Sequence, residues 1–138
     1  MPVLEIHLVE GDHVPEKLER LLRRASDRCA AVLELPVTTV RAFLTMHPGE
    51  LWATGGVPAS VDGDPAPWFV VAVLEGRPVE QRHRLLAEIT DVVCDVLGAT
   101  RSRVQGRVAQ VPRDDWAVGG VPVPAGRRPE VVARSPLV

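Results

Sequence analysis

The sequence is written twice, and a chain built from two copies of one unit is confined to folds with internal pseudo-symmetry. Shifted against itself by 64 or 65 positions, the first half matches the second. Pro2 falls on Pro67 and Glu10-Gly11 on Glu75-Gly76. After a one-residue gap, Leu21-Leu22 meets Leu85-Leu86, Asp27 meets Asp91, and Val32-Leu33 meets Val96-Leu97. Pro48 then meets Pro112, Trp52 meets Trp116, and Gly55-Gly56-Val57-Pro58 meets Gly119-Gly120-Val121-Pro122. Two copies are too few for a solenoid, so a pseudo-twofold pairing of half-domains is expected.

Each copy reads as β-α-β. From Val3 to Val9, Leu4, Ile6 and Leu8 alternate with Glu5 and His7, a strand pattern. Pro15 suits the first position of a helix, and Leu18, Leu21, Leu22, Ala25, Cys29, Val32 and Leu33 then follow one helical face. Pro36 ends that helix, and Val40 to Met46 reads as a second strand. In the second copy, Trp68 to Leu74 is a continuous apolar run, expected for a strand buried on both sides. Pro78 opens a helix whose apolar face is Leu85, Leu86, Ile89, Val92, Val93 and Val96, and Gly98 closes it. Val104 to Val111 is the last long strand.

The fold class that follows is α/β. A tandem β-α-β repeat builds a four-stranded sheet, parallel within each copy, with both helices on one face. One domain is expected over residues 1–138, with repeats at 2–58 and 67–122, a linker at 59–66 and a tail at 123–138. The other sheet face would be left bare although the Trp68–Leu74 run is apolar on both sides, which predicts an oligomer.

Composition narrows the function classes. A net charge of -2 gives no reason to expect nucleic acid or an anionic membrane as partner. No apolar run approaches the ~20 residues of a membrane span, and no signal peptide is evident, so a cytoplasmic protein is expected. Cys29 and Cys94 fit no metal or redox spacing and read as buried thiols. The four histidines show no metal spacing and read as surface or packing residues. Of the 16 basic residues only Lys17 is a lysine, and arginines suit the bidentate grip of carboxylates.

Pro2 is the candidate catalytic group on chemical grounds. Once Met1 is removed it carries a secondary amine, which stays neutral near pH 7 if burial and nearby positive charge disfavour its protonated form. Such an amine can take a proton and return it to another atom of the substrate, acting as general base and then general acid. Pro67 is acylated by Ala66 and has no basic nitrogen, so one of two ancestral sites should be dead.

Met1-Pro2-Val3-Leu4-Glu5-Ile6-His7-Leu8-Val9-Glu10-Gly11, Trp52-Ala53-Thr54-Gly55-Gly56, Leu74-Glu75-Gly76-Arg77 and Trp116-Ala117-Val118-Gly119-Gly120 together resemble the tautomerase superfamily. The similarity is to its fused, double-length 4-oxalocrotonate tautomerase-like members and covers roughly residues 2–122. It implies a proline after the initiator Met, a carboxylate-binding arginine at Arg77, and an aromatic wall before a Gly-Gly hairpin at Trp116. A second arginine is implied at Arg41, replaced by Gln105 in the other copy, where Arg107 lies two residues on. Arg107 is the better candidate if a neighbour's second half serves Pro2, and Arg41 otherwise. The resemblance further implies a homotrimer with sites built across chains, a small carboxylate substrate, and no metal or organic cofactor.

Relatives of this length include cis-3-haloacrylate dehalogenases and malonate semialdehyde decarboxylases, and the resemblance fails at their distinguishing residues. The dehalogenase type implies a carboxylate at Val118, a histidine at Cys29 and a further arginine at Leu74. The decarboxylase type implies an aspartate at Thr38. Proton transfer between carbon and oxygen needs only the amine, a carboxylate grip and an apolar pocket. The expected activity is therefore enol–keto tautomerisation of a small unsaturated 2-hydroxy or 2-oxo acid. A hydratase or dehalogenase of 3-substituted acrylates, using Asp114 or Asp115, and a non-catalytic trimeric scaffold are the alternatives.

Overall fold

A computed structural model describes residues 1–11, 13–63 and 65–123. In chain order the elements are β1 (Val3–Val9), α1 (Pro15–Leu33), β2 (Arg41–His47), β3 (Ala53–Thr54), β4 (Val57–Pro58), α2 (Ala59–Asp62), β5 (Trp68–Leu74), α3 (Val79–Leu97), β6 (Gln105–Val111), β7 (Ala117–Val118) and β8 (Val121–Pro122). The main sheet has the order β2-β1-β5-β6. β1 pairs β2 in parallel and β5 pairs β6 in parallel, while β1 and β5 meet antiparallel at the centre. The antiparallel seam is the pseudo-twofold expected from the repeat.

The alternation of β1 and β5 aims Leu4, Ile6, Leu8, Phe69, Val71 and Val73 into one core. Leu21, Ala25 and Cys29 of α1 and Leu85, Ile89, Val92 and Val93 of α3 close over them from a single side. Both helices stop in the same way. Glu34 and Gly98 stand at equivalent positions in the left-handed conformation, at φ 56° and 69°. Ion pairs tie the helices across the seam, Arg28 to Glu88 at 2.9 Å and Arg24 to Asp95 at 3.3 Å.

Phe69 is almost fully buried, and its ring lies where a side chain on Gly106 would begin, 2.3 Å from an added Cβ. The sheet at that point closes only because residue 106 has no Cβ. A Gly106→Ala variant is expected to lose about 3 kcal/mol of stability, since overpacking forces a buried ring off its rotamer. Urea unfolding checks this through a lower midpoint at unchanged slope. Adding Phe69→Leu should restore part of the loss.

The structure adds detail to three expectations. The edge strands begin one residue later than predicted, at Arg41 and Gln105, because Val40 and Val104 instead close the 3-10 turns Val37–Thr39 and Arg101–Arg103. The span read as a linker, 59–66, opens with the short helix α2, whose Ala59 is buried and donates its N–H to the Trp52 carbonyl at 2.7 Å. As expected of a face that an oligomer would cover, the open face of the Trp68–Leu74 run is left partly bare within the chain, and only Leu74 at its end is buried there. Trp68, Val70 and Ala72 are half-buried on the open face, with exposed Phe43 nearby on β2. The expected tail lies outside the described residues beyond Val123.

Candidate active site

The central antiparallel pairing, Val3 opposite Ala72, carries the start of β1 to the end of β5. There Met1 and Trp116 pack against buried Leu74 and Val123. Pro2 is buried, and its carbonyl accepts the Arg41 N–H at 3.1 Å. Trp116 stands between the 3-10 turn Arg113–Asp115 and the β7–β8 hairpin, and its carbonyl accepts the Val123 N–H at 2.9 Å. One chain thus supplies an amino end, an aliphatic floor and an indole wall at one place.

Arg77 follows β5 directly. Its Nη1 donates to the Leu33 carbonyl at 2.8 Å and to Gln81 Oε1 at 3.3 Å, and Gln81 Nε2 donates to the Val32 carbonyl at 2.9 Å. These carbonyls end α1, where the helix dipole is negative and a cation is favoured. Arg77 is therefore held in place by main chain.

The electrostatics show that the groups sense one another. The Met1 amine is pushed below its usual value chiefly by burial and then by the Arg77 charge, with Cys29 acting in the opposite direction. Burial pushes the Cys29 thiol up to about 12, against the smaller pull of Arg77 and the amine. Cys29 is consequently a neutral thiol at physiological pH and contributes an apolar wall rather than a nucleophile. The amine, by contrast, is biased toward its neutral, proton-accepting form.

The two remaining arginines are placed differently. Arg41 is exposed on the open sheet face beside Val3, one hydrogen bond from Pro2. Arg107 is also exposed, but it pairs with Val70, which in turn pairs with Glu5. That puts Arg107 two strands across from β1 and along the sheet from Pro2, roughly 10 Å in each direction. Within one protomer the fold brings the Met1–Pro2 end, Trp116 and the Arg41 backbone together, lets the Arg77 charge act on the Met1 amine, and leaves Arg107 apart.

The three positions at which a dehalogenase-like site would need polar groups are apolar or buried thiol. Leu74 and Cys29 are buried, and Val118 is half-buried in β7. Asp114 and Asp115 are exposed in the turn before Trp116, and no charged side chain is buried among the described residues. The sequence reading of Cys29 as a buried thiol and of Leu74 as the end of an apolar strand agrees with their burial, and Leu74 packs against Met1 and Trp116. Among the described residues no group of three or more His, Cys, Asp or Glu could hold a metal ion, and no helix is long and apolar enough to cross a membrane.

Comparison with known proteins bears on the family and the fold. The family model for the tautomerase enzymes matches residues 67–126, the second repeat. The chain is similar to the 2-hydroxymuconate tautomerase of Pseudomonas sp. (strain CF600), with 35% identity over 60 residues, 44% of this chain and 94% of that protein. Among solved structures, Pt0534 inactivated by 2-oxo-3-pentynoate is 30% identical with a TM-score of 0.81, covering 88% of this chain and 96% of the other. The F6 fused 4-OT wild-type asymmetric trimer shares the fold at 24% identity and a TM-score of 0.82, covering 91% of this chain and 99% of the other. The curated relative spans one repeat and the solved structures span both. With two β-α-β units in one chain, this protein belongs to the tautomerase family, as one of its fused, double-length members.

Proposed function

We propose that the chain is an enol–keto tautomerase of a small unsaturated 2-hydroxy or 2-oxo acid, with the Pro2 amine as its acid–base group. The observation that carries this reading is the buried amino end flanked by Arg77 and packed against Leu74 and Trp116. Removal of Met1 would leave the Pro2 nitrogen as the terminal amine one residue inward, in the same low-dielectric, positively biased surroundings. The neutral amine takes the enol hydroxyl proton, the O–H bond breaks, and enolate charge develops on the substrate. Arg77 holds the carboxylate and favours that charge. The ammonium then gives the proton to carbon, a C–H bond forms, and the amine is neutral again. Arg41 is the second cation nearest to Pro2 within the chain, and Arg107 serves only a site completed by another protomer.

A homotrimer fits the half-buried open face and the fused relative's trimeric state. Arg113 Nε is buried and has no hydrogen-bond partner among the described residues, as expected if an acceptor on another chain or a substrate completes it.

The alkynone 2-oxo-3-pentynoate tests the proposal, since a neutral amine adds to its conjugated triple bond. A C–N bond forms at the distal alkyne carbon and the amine proton passes to the neighbouring carbon. Activity should be lost as one inhibitor is bound per reactive site, with the added mass on the peptide that begins at Pro2. Labelling confined to Cys94, or full activity after labelling, would contradict it.

A further inference from the structure

The last four carbonyls of a helix have no partner within it, and at the end of α1 each of them is met in turn. The Ala30 carbonyl accepts the Leu35 N–H at 2.9 Å, and the Ala31 carbonyl accepts the Glu34 N–H at 3.3 Å. The Val32 and Leu33 carbonyls are reached from the other repeat, by Gln81 Nε2 at 2.9 Å and Arg77 Nη1 at 2.8 Å. Gln81 does more than cap the helix, because its Oε1 accepts from Arg77 Nη1 at 3.3 Å. Both side chains are half-buried, and they line one open cleft together with Glu34 and Glu80.

The chemistry required at position 81 is narrow. A guanidinium only donates and a main-chain carbonyl only accepts, so a side chain between them must accept on one side and donate on the other. The glutamine amide does both in a single orientation. A carboxylate would serve Arg77 and leave the Val32 carbonyl without its donor. An ammonium would serve the carbonyl and repel Arg77. The repeat displays the second case. With α1 starting at Pro15 and α3 at Val79, Lys17 holds the helical position that Gln81 holds in α3. In that copy the residue after Glu10-Gly11 is Asp12. The amide stands in the copy that carries the arginine, and the ammonium in the copy without it.

We propose that Gln81 is a positioning residue whose amide fixes the orientation of the Arg77 guanidinium, on which the substrate grip of the amine site depends. The proposal rests on the tautomerase reading above and adds a residue to it. Without the amide oxygen, the guanidinium keeps the Leu33 carbonyl as an anchor and gains freedom to turn toward Glu34 or Glu80 in the cleft. A guanidinium drawn toward a carboxylate of its own chain grips a substrate carboxylate less well. The Arg77 charge also acts on the Met1 amine, so its orientation bears on the protonation of the amino end.

Three variants separate positioning from helix capping. Gln81→Leu loses both bonds, Gln81→Lys keeps only the donor for the Val32 carbonyl, and Gln81→Glu keeps only the acceptor for Arg77. For ketonisation of 2-hydroxymuconate by protein that begins at Pro2, kcat/KM should fall about tenfold in Gln81→Leu and Gln81→Lys alike, the worth of a hydrogen bond to a charged group. Gln81→Glu should fall less, and its acid limb should move to higher pH. A carboxylate on Arg77 offsets the charge that disfavours the protonated amine. Activity restored by Gln81→Lys and lost in Gln81→Glu would overturn the proposal, since Gln81 would then only cap α1. Equal rates and pH profiles in all four proteins would overturn it as well. Carbamoylation of the terminal amine by cyanate, followed by mass across pH, reads the amine's protonation without turnover. If the unsubstituted protein fails to ketonise, the tautomerase reading fails by itself. A cyanate profile moved to higher pH in Gln81→Glu would then still support the role of Gln81, and an unmoved profile would overturn it.

Discussion

Arg77→Ala is expected to lower kcat/KM for ketonisation of 2-hydroxymuconate about 100- to 1,000-fold, the usual consequence of removing one preorganised partner of a developing oxyanion. The pH dependence should change as well. A nearby cation disfavours the protonated amine, so Arg77 helps to hold the amine below its usual value. Without that charge the amine's value rises, and the acid limb of the rate profile moves to higher pH. Arg77→Lys separates the two roles. It keeps a positive charge and so most of the pH profile, but it loses the fork and raises KM. Arg77 also bonds the Leu33 carbonyl, so Arg77→Ala should cost stability too, by about 1 kcal/mol. Such a loss leaves the chain folded and does not explain a rate change of that size. Steady-state kinetics across pH, with urea unfolding of the same variants, would distinguish these effects.

The repeat made the fold legible because both copies obey the same physical constraints at the same spacing. Strand alternation from Val3 to Val9, Pro15 at a helix start and Gly98 at a helix end each fixed one local conformation, and the structure follows them. Boundaries at Val40 and Val104 were less legible. A β-branched residue reads as strand, whereas here the preceding 3-10 turn claims its N–H. The short helix α2 escaped because four residues carry no helical period.

The candidate site was legible in its polar groups and not in its walls. Pro2, Arg77 and Trp116 carry motif positions, but only the antiparallel seam brings the Met1 end beside Leu74 and Trp116, where the Arg77 charge acts on its amine. Leu74 and Cys29 look like ordinary core residues in any window, and nothing local places them beside an amine. The histidines were harder still. Glu5 and His7 lie visibly on one strand face, but His47 joins them only through the parallel register that sets it beside Val9. The same register, extended to β6, separates Arg107 from the Pro2 end of its own chain.

The central claim is that a terminal amine at Pro2 performs the proton transfer, and ultraviolet-monitored ketonisation of 2-hydroxymuconate tests it most directly. Three proteins would be compared: one confirmed by mass to begin at Pro2, one that retains Met1, and a Pro2→Ala variant likewise processed to begin at residue 2. The first should turn over rapidly. In the second the Pro2 nitrogen is an amide with no proton-accepting lone pair, and the Met1 amine stands one residue away. Its rate should fall by about 100- to 10,000-fold, the range attributed to a positioned acid–base group. The third keeps a primary amine with altered basicity and freedom, so it should lie between the other two. Equal rates in the proteins with and without Met1 would contradict the account, because the Pro2 nitrogen would then have no part in the reaction.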